Sequence, residues 1–390
     1  MRIRAMDGKD LSQLRIAIIH FWLTGMRGGE RVLESFCRMF PKADIYTHVV
    51  RPEALSQTLL AHPIHTTFIQ KLPGSIKHYQ KYLPLMPLAL EQLDLHGYDL
   101  VISSESGPAK GIITRADTPH ICYCHSPMRY LWNSYQDYLE STGPVTRFLM
   151  RPLFHRLRLW DYASAQRVDH IIANSRAVQR RVKRWWGVSP PSSIHPWMSP
   201  PSRTRICHSS KMYWGNLYPE AITSGWGCSS VTSGWISRYK PALRLDGTSL
   251  FPETARSGKN WRRWLAQRFA LWDVCLTKRF PHSMRGCKAF LFPGEEDFGI
   301  TPLEASAAGR PVIAYGKGGV LGSIIPDETG LFFEQQSIDS LIAALGDFEA
   351  AEDAVWSADR LKAHAQSFSE VLFRERMGAY IQKVIEEHRS

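Results

Sequence analysis

Short apolar runs closed by polar or glycine-containing turns recur through residues 15–185, with helically spaced stretches between them. Arg15-Ile-Ala-Ile-Ile-His20 is the first, a buried-strand run followed by a Gly-rich turn and an amphipathic helix from about Glu30. Tyr98-Asp-Leu-Val-Ile-Ser-Ser104, His120-Ile-Cys-Tyr-Cys124 and Val168-Asp-His-Ile-Ile-Ala-Asn174 repeat the pattern. Such alternation predicts an α/β domain with a parallel sheet covered by helices, and ligands at the carboxyl ends of the strands. The pattern returns from Cys287 to Phe333, in Lys288-Ala-Phe-Leu-Phe292, Pro311-Val-Ile-Ala314 and Gly330-Leu-Phe-Phe333. From Ser337 onward the chain reads as helical and ends in a charged tail. Two Rossmann-like domains facing a cleft is the economical reading.

The segment 189–280 breaks this order. It holds 7 of the 13 Trp and 13 Lys+Arg against 4 Asp+Glu, with almost no apolar periodicity. Its length is far outside ordinary connections. The net charge of +12 is therefore concentrated there, and the rest of the chain carries only +3. Basicity confined to one anomalous segment does not describe a nucleic-acid surface, so no nucleic-acid partner is expected. Regrouping the codons by one position, with Trp fixed as TGG, lets residues 231–238 read Y-K-R-V-D-L-A. Residues 251–273 then permit S-G-D-G-P-E-R-K-E-L-E-A-L-A-G-P-T-V-R-F-L-G before the frame recovers near Pro281. These ordered readings predict a compensated double frameshift and a second domain disrupted at its start.

Composition sets the remaining bounds. A chain of 390 residues, 44% hydrophobic and 22% charged, suffices for two globular domains. The expected division is a leader over 1–14, a first domain over 15–188, the anomalous segment, a C-terminal domain over 281–370 and a terminal helix over 371–390. No apolar run reaches the roughly 20 residues of a membrane span. The polar start, Met1 to Leu14, lacks the apolar core of a signal peptide, and a cytoplasmic protein is expected. Seven scattered cysteines, with Cys122 and Cys124 only one residue apart, do not have zinc-pair spacing.

Four motifs carry candidate chemistry. Gly294-Glu-Glu-Asp-Phe-Gly-Ile-Thr-Pro-Leu-Glu304 places Glu296 and Glu304 eight apart, with the turn Phe298, Gly299, Ile300 opening a helix between them. Backbone N–H groups at a helix start suit a diphosphate, and a carboxylate farther in can accept from ribose hydroxyls. Gly25-Met-Arg-Gly-Gly-Glu-Arg31 follows the first strand, where Gly28 and Gly29 allow close backbone approach to a phosphate or sugar. Cys122-Tyr-Cys-His125-Ser-Pro-Met-Arg129 follows a strand, so His125 belongs at a strand end, where a neutral imidazole can bond a sugar hydroxyl and Arg129 can offset negative charge. Gly316-Lys-Gly-Gly319 is either a plain turn or a site for Lys317. Thr146 to Trp160 mixes Arg with large apolar residues, a composition for a helix packed on its own domain or laid on an anionic membrane.

The Glu296/Glu304 spacing with the following Ala-Gly-Arg-Pro-Val-Ile resembles the E-x7-E signature of family 4 retaining glycosyltransferases of GT-B fold. Together with Thr24-Gly-Met-Arg-Gly-Gly-Glu-Arg-Val-Leu33 and Tyr123-Cys-His-Ser-Pro-Met-Arg-Tyr130, it resembles the WbaZ-type mannosyltransferases of O-antigen assembly. The resemblance implies a GDP-mannose donor, a polyprenyl-diphosphate-linked saccharide acceptor at the cytoplasmic face of the inner membrane, and retained anomeric configuration. It implies no metal and no cofactor beyond the nucleotide-sugar co-substrate. By resemblance Glu296 orients donor-sugar hydroxyls, Glu304 holds ribose, and His125 supports the transferred sugar. Two departures stand out. Gly322 occupies a position where relatives carry Glu, and the family's diphosphate-gripping Lys occurs only in the shifted frame, where the chain has Thr232-Ser233. A weak or inactive product is therefore expected. An inactive copy, a transferase with another nucleotide sugar and an RNA-binding protein are the alternatives.

Overall fold

Three runs of apolar residues, each too short for a helix and buried on both faces, become central strands of the first sheet, and a fourth becomes its edge strand. The computed structural model describes residues 13–140, 142–189, 269–271, 287–351 and 356–389. Its first strands are β1 (Ile16–His20), β2 (Asp44–Thr47), β3 (Ile64–Thr66), β4 (Leu100–Glu105), β5 (His120–Cys124) and β6 (His170–Ala173). All pair in parallel, in the order β3-β2-β1-β4-β5-β6. The register sets His20 beside Ser104 and Glu105 beside Cys124, so β1, β4 and β5 end at one level.

Period-two alternation sorts these strands onto two cores. Ile16, Ile18, Ile102, Ile121, Tyr123 and Ile172 face the first core, whereas Ala17, Ile19 and Val101 face a second. Helix Gly28–Met39 covers the first face with Leu33, Phe36 and Cys37, one turn apart. It begins two residues before Glu30, because the Glu30 carboxylate reaches back to accept from the Arg27 amide at 3.0 Å.

The same face is completed by the end of the chain. Helix Glu370–Arg389 contributes Phe373, Met377, Tyr380, Ile381, Val384 and Ile385, a stripe at helical spacing. Phe373 packs edge-on against Phe36 and Tyr123, with centroids 5.6 and 5.8 Å apart. Arg38 holds both Glu370 carboxylate oxygens at 2.7 and 2.8 Å. Burying six such side chains contributes roughly 1.5–3 kcal/mol each, so apolar contact outweighs this exposed ion pair of about 0–1 kcal/mol. The chain thus divides into a first unit, 1–197 with 370–390, and a second, 198–369.

The second unit holds a parallel sheet of β7 (Phe269–Leu271), β8 (Ala289–Phe292), β9 (Val312–Tyr315) and β10 (Gly330–Phe333), ordered β10-β9-β8-β7. Phe290, Phe292, Val312 and Ala314 pack with Ala305, Val320 and Ile324 on one face. Ala289, Leu291, Ile313 and Phe333 pack with Ala344, Leu345 and Phe348 on the other. Of the anomalous segment, only Ser189 and Phe269–Leu271 are described, the latter three as β7. The rest, including Thr232-Ser233, the reading over 231–238 and that over 251–273 apart from 269–271, lies outside the described residues, as do residues 1–12 of the leader.

Candidate active site

The carboxyl ends of β1, β4 and β5 bring polar side chains to one point, each closing a strand that is otherwise apolar. His20 ends β1 and is 1% exposed. Its Nδ1 lies 3.0 Å from Ser104 Oγ, and the same hydroxyl lies 2.9 Å from Nε2 of His125. The His125 amide donates to the Glu105 carbonyl at 2.8 Å, which fixes the turn after β5 to the end of β4. Gly29, the second residue of helix Gly28–Met39, sits over both rings. A side-chain carbon there would lie 3.6 Å from His20 and 3.8 Å from His125. Glu30 Oε1 approaches His20 Nε2 at 4.0 Å.

Burial, and next the neighbouring His20, push the His125 ring down to about 3. The imidazole is therefore neutral at physiological pH and can bond a hydroxyl without competing for a proton. Arg129 lies in the turn that follows, half-buried, its carbonyl accepting from the amides of Trp132 at 3.2 Å and Ser134 at 2.8 Å.

Beneath this cluster lies a charged one. Glu105, Lys110 and Asp161 are all fully buried. Lys110 donates to Glu105 Oε1 at 3.3 Å and to Asp161. Glu105 Oε2 accepts from the amides of Ala109 and Lys110 at 2.9 and 2.7 Å. Asp161 Oδ2 accepts from the indoles of Trp132 and Trp186, each at 2.8 Å. The Lys110 ammonium also sits 4.2 Å from the Trp186 ring centre. Buried charges persist only when every lone pair and proton is satisfied, and here they are nearly so.

The second unit gathers its own strand ends. The loop after β8 carries Glu296 and Phe298, and Gly299, at φ 86°, opens helix Ile300–Ala307. Glu304 is the fifth residue of that helix and half-buried. Glu296 pairs with Gly318 of the turn after β9, and the Gly319 amide donates to the Glu296 carbonyl. A side-chain carbon on Gly318 would lie 2.4 Å from the Glu296 oxygen, so this approach requires glycine. Lys317, exposed between them, pairs with Glu295 at 3.5 Å. Phe298 lies edge-on to Phe368, with centroids 6.4 Å apart.

The expected site residues thus fall into two groups: Gly28, Gly29, His125 and Arg129 in the first unit, and Glu296, Phe298, Gly299, Ile300, Glu304 and Lys317 in the second. Sequence reasoning passed over His20, Glu30, Ser104, Glu105, Lys110 and Asp161. The available signal was polar closure of apolar strands, His20 after Ile-Ala-Ile-Ile and Ser103-Ser104-Glu105 after Leu-Val-Ile. A cavity of about 340 Å³ lies elsewhere, at the opposite ends of β4 and β5, lined by residues including Tyr98, Asp99, Arg115 and His388.

Residues 26–197 match Glycosyltransferase Family 4, and residues 273–367 match Glycosyl transferases group 1. No curated protein sequence matches. Among solved structures, Anabaena HepE in complex with UDP is 14% identical, covers 95% of this chain and 100% of its own, and has a TM-score of 0.53. The sucrose-phosphate synthase of Thermosynechococcus elongatus is 15% identical over 96% of this chain and 100% of its own, at 0.55. WaaG, a glycosyltransferase involved in lipopolysaccharide biosynthesis, is 13% identical over 95% and 99%, at 0.53. At these identities the structures speak for the fold, which is GT-B. With both family matches taken together over more than half of the chain, the protein belongs to the family 4/group 1 glycosyltransferases.

Proposed function

We propose that the protein is a retaining, metal-independent transferase that moves mannose from GDP-mannose to a lipid-linked saccharide in O-antigen or other surface-polysaccharide synthesis. The observation that carries this reading is the cradle in the second unit, where Gly318 and Gly319 press against Glu296 and Asp297 beside the start of helix Ile300–Ala307. Backbone N–H groups at a helix start favour a diphosphate, and they stabilise the charge that builds on it as the glycosidic bond breaks. In this reading Glu304 accepts from ribose hydroxyls, Glu296 orients hydroxyls of the donor sugar, and neutral His125 bonds the sugar under transfer. Lys317 adds positive charge near the leaving group. Proteins of the same fold favour the pathway: WaaG is described as acting in lipopolysaccharide biosynthesis, and WaaB as a lipopolysaccharide outer core galactosyltransferase. A second reading, a UDP-sugar donor, is favoured by HepE, whose structure holds UDP-glucose.

The acceptor's lipid fits helix Pro144–Ala165. Phe154 and Leu157 pack inward, whereas Val145, Phe148 and Leu149 stand out at 73%, 75% and 62% exposure beside Arg151 and Arg156. Apolar anchors flanked by arginines suit a peripheral position on an anionic membrane. Among the described residues no helix is long and apolar enough to cross one. The segment 189–280 we attribute to a compensated double frameshift, which removes the diphosphate-gripping Lys and weakens or abolishes turnover.

The test compares two purified proteins, the chain as it stands and one with the frame restored over 189–280. Each is titrated with GDP-mannose and UDP-glucose, then assayed for transfer to a polyprenyl-diphosphate saccharide with the anomeric configuration read by NMR. Retained transfer of mannose by the restored protein, with the unrestored one weak, is the expected result. Failure of both to bind any nucleotide sugar would overturn the reading.

A further inference from the structure

We infer that Glu30, His20 and Ser104 form a polar line that holds His125 in a single tautomer, with its proton on Nε2 and its Nδ1 lone pair presented to a hydroxyl of the donor sugar. The inference rests on the role proposed for His125 and names the sense of its hydrogen bond. Ser104 has one hydroxyl proton and lies between two imidazole nitrogens, His20 Nδ1 at 3.0 Å and His125 Nε2 at 2.9 Å. It can donate to only one of them, so the other must donate to it. The two rings therefore cannot choose tautomers independently.

Glu30 decides which ring donates. Its carboxylate is held by the Arg27 amide through Oε2, leaving Oε1 at 4.0 Å from His20 Nε2. That distance is too long for a hydrogen bond, but both groups are buried, so their interaction is weakly screened. A proton on His20 Nε2 is attracted to the carboxylate, and a lone pair there is repelled. With His20 protonated at Nε2, its Nδ1 is an acceptor, and the Ser104 hydroxyl points to it. Ser104 Oγ then accepts from His125, whose proton sits on Nε2. Among the described residues His125 Nδ1 has no partner, which leaves an acceptor for a ligand. Gly29 covers both rings without a side chain to interrupt the line.

His125 is the residue that touches sugar in this scheme, and Glu30, His20 and Ser104 are positioning residues. The consequence is specificity for a sugar that offers a hydroxyl proton at that point. Fluorine accepts but does not donate, so it should be no better than hydrogen there.

Long-range 1H–15N spectra of the full chain labelled with 15N-histidine, with His125 assigned through a His125→Gln sample, read the tautomer directly and without turnover. The expected wild-type signature is protonated Nε2 and bare Nδ1 on His125. Glu30→Gln, which keeps an oxygen for the Arg27 amide, should mix or invert the tautomers of both histidines, and Ser104→Ala should uncouple them. In the frame-restored protein Ser104→Ala should lower kcat about tenfold with KM for the donor little changed, and Ser104→Thr should recover most of it. A scan of deoxy and deoxyfluoro donors should find one position at which both substitutions are equally harmful. A wild-type proton on His125 Nδ1, or tautomers indifferent to Glu30→Gln and Ser104→Ala in folded protein, would overturn the inference. Loss of the proposed transferase role alone would show as an absence of turnover with the expected tautomers intact.

Discussion

The amide of Gly319 donates to the carbonyl of Glu296 across 2.7 Å, tying the two glycine-containing turns of the second unit together. A side-chain carbon on Gly319 would lie 2.4 Å from the Asp297 carbonyl oxygen and 2.5 Å from the Phe298 Cα, both parts of the backbone that cannot rotate away. Gly319→Ala should therefore force the turns apart, costing about 1–3 kcal/mol of stability. Calorimetry should show donor affinity falling at least tenfold. Gly346→Ala, in a helix with open space around it, is the control and should raise stability by about 0.5–1 kcal/mol.

The buried triad of Glu105, Lys110 and Asp161 gives a second prediction. Lys110→Met keeps much of the side-chain volume but leaves two carboxyl groups facing each other without their cation. Removing one partner of a buried charged set costs on the order of 3–5 kcal/mol. The urea midpoint should drop accordingly, with an unchanged slope. A midpoint equal to wild type would mean that the triad carries little net energy.

Stability should also depend on pH through buried histidines. Burial pushes the rings of His48 and His120 down to about 4 and about 3, with Lys110 and Arg167 adding to the effect at His120. In the unfolded chain each returns to about 6.5, so below that pH the unfolded state binds more protons than the folded one. Their contribution is complete above about pH 6.5 and is lost as pH falls toward 4, by on the order of 1 kcal/mol per histidine per pH unit. Urea titrations at pH 7.5 and 5 should show the decline. His48→Gln, which can still bond Thr67 and the Pro108 carbonyl, should make it shallower.

Membrane contact can be read separately from catalysis. Phe148→Glu with Leu149→Glu alters two exposed side chains of helix Pro144–Ala165 and none of its inward contacts. Sedimentation with vesicles containing anionic lipid should fall about tenfold or more, while the melting temperature stays within a few degrees. Equal binding by the double variant would remove this helix from the membrane reading.

The strands legible in the sequence were those buried on both faces. β1, β4 and β5 are buried along their whole length, and in the edge strand β6 only His170 is part-exposed, so all four read as short apolar-rich runs. β2 and β3 escaped notice because they are four and three residues long and alternate between buried and half-exposed or lie wholly part-exposed. Helix Gly28–Met39 was seen from Glu30 only, since its first turn is set by a carboxylate reaching back rather than by apolar spacing. The glycine turns and the Glu296/Glu304 pair were visible as local motifs. The His20–Ser104 contact was not, because it joins residues 84 apart in the chain and exists only once β1 and β4 pair in register.

Because helix Glu370–Arg389 completes the first unit, that unit cannot finish folding when its first strands leave the ribosome. Phe36 and Tyr123 wait, partly uncovered, until residues 370–389 have been translated. A single uncorrected shift of reading frame anywhere downstream would strip away this final helix along with the second unit. A second, restoring shift, as proposed for the segment 189–280, would return the helix in its proper residues. If the proposed double frameshift is real, selection on the solubility of the first unit alone would keep its two shifts together, whether or not sugar transfer survives.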